Sequence, residues 1–159
     1  MKKIIAILLC LMLLAGCGGA EENKPSANAS ANVDVNDLYA QLEAKGLPKM
    51  VDVGPDMMLS LYGIEEADVK QAKVAISDDG LLADEVWLLE AVSADAAEKL
   101  EGLVKSRIQQ KDDESITYSP EQNAVVKKSC VMVDGNYVFF VCAAEVDAMK
   151  GILESALGN

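Results

Sequence analysis

Histidine is absent from this chain of 159 residues. That removes the most frequent activating base for a thiol or hydroxyl nucleophile, and the commonest metal ligand. There is no GxSxG, no GxGxxG and no phosphate loop, so the familiar signatures of acyl transfer and nucleotide binding are missing. No cysteines stand at CxxC spacing, and Cys130 and Cys142 alone do not make a zinc signature. Basic residues are few, with 14 Lys and Arg against 26 Asp and Glu and a net charge of −12. A phosphate backbone needs Lys and Arg, so nucleic acid is excluded as a partner. The N-terminal apolar run, Ile4 to Leu14, would rise about 16 Å as a helix, roughly half a hydrocarbon core, too short to span it.

What is there begins with Lys2 and Lys3, then that short apolar run, then small residues. These are the three parts of a secretory signal, with the positive end held in the cytoplasm. Leu14-Ala15-Gly16-Cys17 resembles the lipobox of bacterial lipoproteins. The resemblance implies a diacylglycerol thioether on the Cys17 sulfur and cleavage between Gly16 and Cys17. Stable anchoring takes about two acyl chains, at about 0.8 kcal/mol per buried CH₂, and a diacylglycerol supplies two. Cys17 is the site residue that the sequence names. The expected location is the extracytoplasmic face of the cell membrane, held by the lipid anchor.

Three segments follow from this. Residues 1–16 form the signal, and 17–33 carry the lipidated cysteine and a flexible tether. Residues 34–159 form a single globular domain. The tether, GGAEENKPSANASANV, is small, polar and without hydrophobic period, and reaches about 20–24 Å as a flexible chain. Losing residues 1–16 removes two lysines, so the net charge of −12 becomes −14. That charge repels anionic lipid and leaves the anchor as the hold on the membrane. About 125 residues remain, enough for one domain with a real core.

Val35, Leu38, Tyr39 and Leu42 fall on one helical face, with Asp34 as cap and Gly46 and Pro48 beyond the end. A second short helix fits Asp56 to Tyr62, closed by Gly63. Val69 to Ser77 alternates as a strand, Asp78-Asp79-Gly80 turns the chain, and Asp84 to Val92 is a second strand, apolar on both faces at its middle. Ser93 caps a long helix with Ala97, Leu100, Val104 and Ile108 inward, ending in Lys111-Asp112-Asp113-Glu114. Ser119-Pro120 reads as loop. Ala124 to Val133 and Tyr137 to Cys142 form a hairpin about Asp134-Gly135-Asn136. Glu145 to Leu157 is a last helix, with Val146, Met149, Leu153 and Ala156 inward. The expected fold class is α+β. An antiparallel, mostly four-stranded sheet is built by strand-strand-helix twice, after one or two N-terminal helices, with helices packed on one face.

"LSLYGI", "ADEVWLLEAVSADAAEKLEGLVKSRIQQ", "YSPEQ" and "GNYVFFV" resemble the small lipoprotein domain catalogued as domain of unknown function 4358. The resemblance covers about residues 36–157, through motifs of structural character. That family occurs mainly in Gram-positive anaerobes related to the clostridia, which implies the outer face of the cytoplasmic membrane. It brings no activity and no functional residue to carry over.

The remaining candidates for chemistry are thin. A Gly135-Asn136 loop makes Cys130 face Val141, and an Asp134-Gly135 loop makes it face Phe139. Either register puts the Cys130 and Cys142 sulfurs on opposite sides of the sheet, whereas a three-residue loop from Gly135 to Tyr137 would bring them together. Two free thiols are expected. Asp84 and Glu85 alternate along a strand and cannot pair on one face. Glu90 lies among apolar residues and is expected on a partly solvated face. Trp87, the lone tryptophan, is expected to pack under a helix rather than stack on a guest. Asp78-Asp79-Gly80 is expected to be a plain turn. No cofactor or metal is indicated. Two functions of different class follow. One is a non-catalytic binding or interaction module, whose partner is another surface protein or a wall component. The alternative is a carboxylate-dependent hydrolase of cell-wall or surface polymers, using Glu90 and a second acid. The empty catalytic inventory favours the first.

Overall fold

The structure, a computed structural model, describes residues 32–158. The signal, Cys17 and nearly all of the tether lie outside the described residues. Within them the chain runs α1 (Val35–Glu43), β1 (Met50–Asp52), α2 (Pro55–Met57), β2 (Val69–Ser77), β3 (Glu85–Ala91), α3 (Ala94–Tyr118), α4 (Pro120–Lys127), β4 (Cys130–Asp134), β5 (Tyr137–Cys142) and α5 (Val146–Leu157). The strands form one antiparallel sheet in the order β1-β2-β3-β5-β4.

The fold class is α+β, with three corrections to its details. The sheet has five strands rather than four, because β1 joins the outer edge of β2. Strand-strand-helix does not simply repeat, since β1 precedes the first unit and α4 stands between the first unit and the second. Helices also cover both faces. Val86 and Leu88 of β3, with Phe139 and Val141 of β5, pack against α1 and α5. Trp87 and Leu89, with Val138 and Phe140, pack against α3 and Val126 of α4. Strands apolar on both faces need cover on both, so the sheet becomes the middle of three layers.

Local chemistry explains the elements. Asp34 caps α1 by accepting from the amides of Asn36 and Asp37, and Val35, Leu38, Tyr39 and Leu42 are its buried face. α2 runs on as a π-helical turn (Met58–Tyr62) that stops at Gly63, where φ is +72°. Helix α3 runs past the expected stop at Lys111 to Tyr118. The acidic run there holds no Gly or Pro, and Gln109 and Gln110 donate to Asp113 and Glu114 one turn on. It ends at Ser119, whose φ of −152° is the extended conformation forced on a residue before proline. Ser119 then caps α4 with Pro120 in its first turn. Residues 124–127, expected as the start of a strand, are therefore helical, and β4 begins only at Cys130.

The hairpin register is the one a Gly135-Asn136 loop requires, with Cys130 opposite Val141 and Val133 opposite Val138. Gly135 has φ of +54°, which a primed turn demands. Both cysteines are free, Cys130 in the core under α1 and α5 and Cys142 in the core under α3. No helix among the described residues is long and apolar enough to cross a membrane.

Candidate functional site

Where β2 turns into β3, the loop from Ser77 to Asp84 stands opposite the junction of α3 and α4. Between them lies a cleft of about 510 Å³. Ile76, Leu82, Ala83 and Val126 give its walls apolar surface among polar side chains, and its rim carries Leu81 and Tyr118, both well exposed. Both walls follow from local sequence. Asp79 folds the loop by accepting from the Leu81 amide, while its own amide donates to the Ser77 hydroxyl. Gln122, in the first turn of α4, accepts from the Ala83 amide at 2.7 Å and so ties the loop to the helix junction.

At the cleft floor is Glu85, the first residue of β3 and fully buried. β-alternation turns its side chain to the same face as Trp87, toward α3. Arg107 and Lys111, one helical turn apart on α3, reach it from above. Its Oε1 accepts from Trp87 Nε1 at 2.8 Å and from Arg107 Nε at 3.0 Å. Its Oε2 accepts from Arg107 Nε at 3.1 Å, Arg107 Nη2 at 2.8 Å and Lys111 Nζ at 2.8 Å. The guanidinium also lies over the Tyr62 ring, 5.1 Å from its centre, and Tyr62 packs against Trp87.

Burial alone would raise the Glu85 carboxyl, but the Arg107 hydrogen bonds and the Lys111 charge override it and hold the group below the usual carboxylate range. The Tyr62 hydroxyl is pushed up to about 12, first by burial and then by the Glu85 charge. Asp84 beside it behaves differently. Burial raises its carboxyl, against the opposing pull of the Ala144 amide and of Lys111.

The chemical consequence lies in which groups are spent. Both oxygens of Glu85 are fully engaged by five donor contacts. A proton shuttle needs a pKa near the working pH and an open lone pair, and this carboxylate has neither. The groups left over are donors. Arg107 Nη1, two N–H bonds of Lys111 and Nε2 of Gln122 have no hydrogen-bond partner among the described residues, and all three residues line the cleft. Among the described residues no group of three His, Cys, Asp or Glu side chains comes together as a metal site.

The other candidates fall elsewhere. Glu90, on the face away from α3, accepts from Lys70 Nζ at 3.1 Å and Gln71 Nε2 at 2.8 Å. Gln71 in turn donates to the Val33 carbonyl and accepts from the Val35 amide, so Glu90 helps pin the start of α1 and is remote from the cleft. Trp87 packs under α3, as expected, and lends one N–H to the site. The Asp78-Asp79-Gly80 turn is more than a connection, since Asp79 and Gly80 form part of the cleft rim. The sequence pattern alone does not mark Arg107 and Lys111 as site residues. The available signal was that Lys111 continues the buried stripe of Leu100, Val104 and Ile108, where a cation requires an internal partner.

The family model described as Domain of unknown function (DUF4358) matches residues 43–143. No curated protein and no solved structure matches the chain.

Proposed function

From the premise that this chain belongs to the DUF4358 family, we propose that it is a membrane-anchored extracytoplasmic lipoprotein whose cleft makes it a non-catalytic binding module. The family brings no activity with it, so the reading rests on the cleft. The observation that carries it is the saturated Glu85 at the floor, surrounded by donors without partners. A buried ion cluster is weak evidence of stability, because apolar side chains of similar volume often serve as well or better. Its place at the floor of an open cleft suits recognition. A pocket with apolar walls and a few convergent polar groups is the usual form of a small-ligand site. Hydrolysis by paired acids is disfavoured, since Glu90 lies away from the cleft and Glu85 is locked in its ionised form.

The anchor and the cleft are tested together on intact cells. A photo-reactive residue at Tyr118, on the rim, should give adducts, while one at exposed Glu154 on α5 should not. Cys17→Ser should move the protein out of the detergent phase in a phase-partitioning experiment. Equal adducts at both positions would remove the cleft reading, and unchanged partitioning would remove the lipid anchor.

A further inference from the structure

The cleft carries charged groups of both signs. The cations Arg107 and Lys111 lie at its floor beside the buried carboxyls of Glu85 and Asp84, and the acids Asp79 and Glu114 also line it, both on exposed positions. Each of these acids has spent only one carboxylate oxygen on a side-chain or backbone donor, Asp79 on the Leu81 amide and Glu114 on Gln110 Nε2. Glu114 follows Arg107 by two helical turns on α3, an axial rise of about 10.5 Å. A tripeptide in extended form reaches about 10 Å. Ile76, Leu82, Ala83 and Val126 add apolar surface to the same walls. The volume of about 510 Å³ falls in the range of small-ligand pockets.

We propose that the cleft binds short peptides of two or three residues with both termini free and an apolar side chain between them. This rests on the reading of the cleft as a binding site. The peptide carboxylate accepts from Arg107 Nη1, Lys111 Nζ and Gln122 Nε2, while its ammonium group meets the open oxygens of Asp79 and Glu114. The apolar side chain lies against Ile76, Leu82 and Val126. Other ligand classes fit less of this. An inorganic anion satisfies the floor and is repelled by the acids. A simple cation reverses both. A fatty acid satisfies the floor and walls but leaves the acids without a partner.

The test is titration calorimetry of the full chain in detergent with Ala-Leu-Leu, its C-terminal amide, its N-acetyl form and octanoate. The free tripeptide should bind saturably, the amide at least tenfold more weakly, and the acetylated form and octanoate several-fold more weakly. Gln122→Glu keeps the acceptor that ties Ala83, so the fold should hold with an unchanged melting temperature. It replaces a donor with negative charge, so it should weaken the tripeptide at least tenfold and leave the amide unaffected. Lys111→Met should act in the same direction. No saturable binding of the tripeptide overturns the proposal. So does equal binding of acid and amide, or octanoate binding as tightly as the peptide. If Tyr118 still gives adducts on cells while the tripeptide fails to bind, the peptide class is wrong and the site stands. If both fail, the binding reading falls with it.

Discussion

Glu85 carries five donor contacts in a place where no water competes for it. Removing its charge leaves Arg107 and Lys111 uncompensated, so Glu85→Gln should cost about 3–5 kcal/mol in denaturant unfolding. Replacing all three together, by Glu85→Leu, Arg107→Leu and Lys111→Met, should return stability to the native level or above it, because no charge is then stranded. A triple variant as unstable as the single one would show that the cluster itself holds the fold. The pH dependence has a definite sign. The folded Glu85 carboxyl lies below its ordinary value of 4.5. Its stabilisation is therefore complete above that value and is lost as pH falls through the lower, folded one, since the unfolded chain takes up the proton first. In Glu85→Gln the acid limb of the stability curve should be shallower. An unchanged acid limb would mean that other carboxylates dominate it.

Two short elements decide the shape of the cleft and of the hairpin. α4 is short and depends on its start. Ser119 accepts from the Gln122 amide, and Pro120 supplies a helical φ at no cost in hydrogen bonds. Ser119→Ala should lower stability by about 1 kcal/mol and loosen the Gln122–Ala83 tie, which amide exchange at Ala83 would report. Exchange at Ala83 unaffected by the substitution would separate the cap from the cleft wall. The hairpin makes a chemical prediction of its own. Its two-residue loop sends the Cys130 and Cys142 side chains to opposite faces, so unreduced protein alkylated in denaturant should show two modified thiols by mass. In the folded protein both thiols are raised, mainly by burial, and should react slowly. Cys130, 7% exposed, should react before Cys142, which is fully buried. An internal disulfide would require a different register.

At the scale of the whole molecule, one sheet is shared by both cores, which makes the two helical layers one cooperative unit. Val33 is buried and its amide donates to the Tyr137 hydroxyl, so the folded part already includes the residue before Asp34. A chain beginning at Asn32 should melt in a single transition by both far-ultraviolet dichroism and Trp87 fluorescence. Trp87 sits in the α3 core while the dichroism reports all helices, so coincident curves mean one unit. Two separated transitions would show that the layers fold independently.

Periodicity sufficed where an element has one dominant face or a strong punctuation mark. α1, β2, β5 and α5 are of this kind, because their apolar spacing or end residues leave one low-energy choice, whereas the hairpin turn was legible but its loop, Gly135-Asn136 or Asp134-Gly135, was decided only by the strand register. β1 was not legible, since three residues carry no period and only the β2 edge makes them a strand. α4 was obscured because Ala124-Val125-Val126 has strand character, although its Ser-Pro-Glu-Gln start is a helix signature. The chain's own order of residues also determined the thiol faces and the acidic, histidine-free chemistry that leaves so few catalytic options. Only the tertiary structure decided that helices cover both faces. It alone brought Glu85 together with Arg107 and Lys111, more than twenty residues away along the chain. Local pattern records which side of an element is apolar. It does not record which charge on one element will meet which charge on another, because that depends on where the α3 axis crosses the sheet.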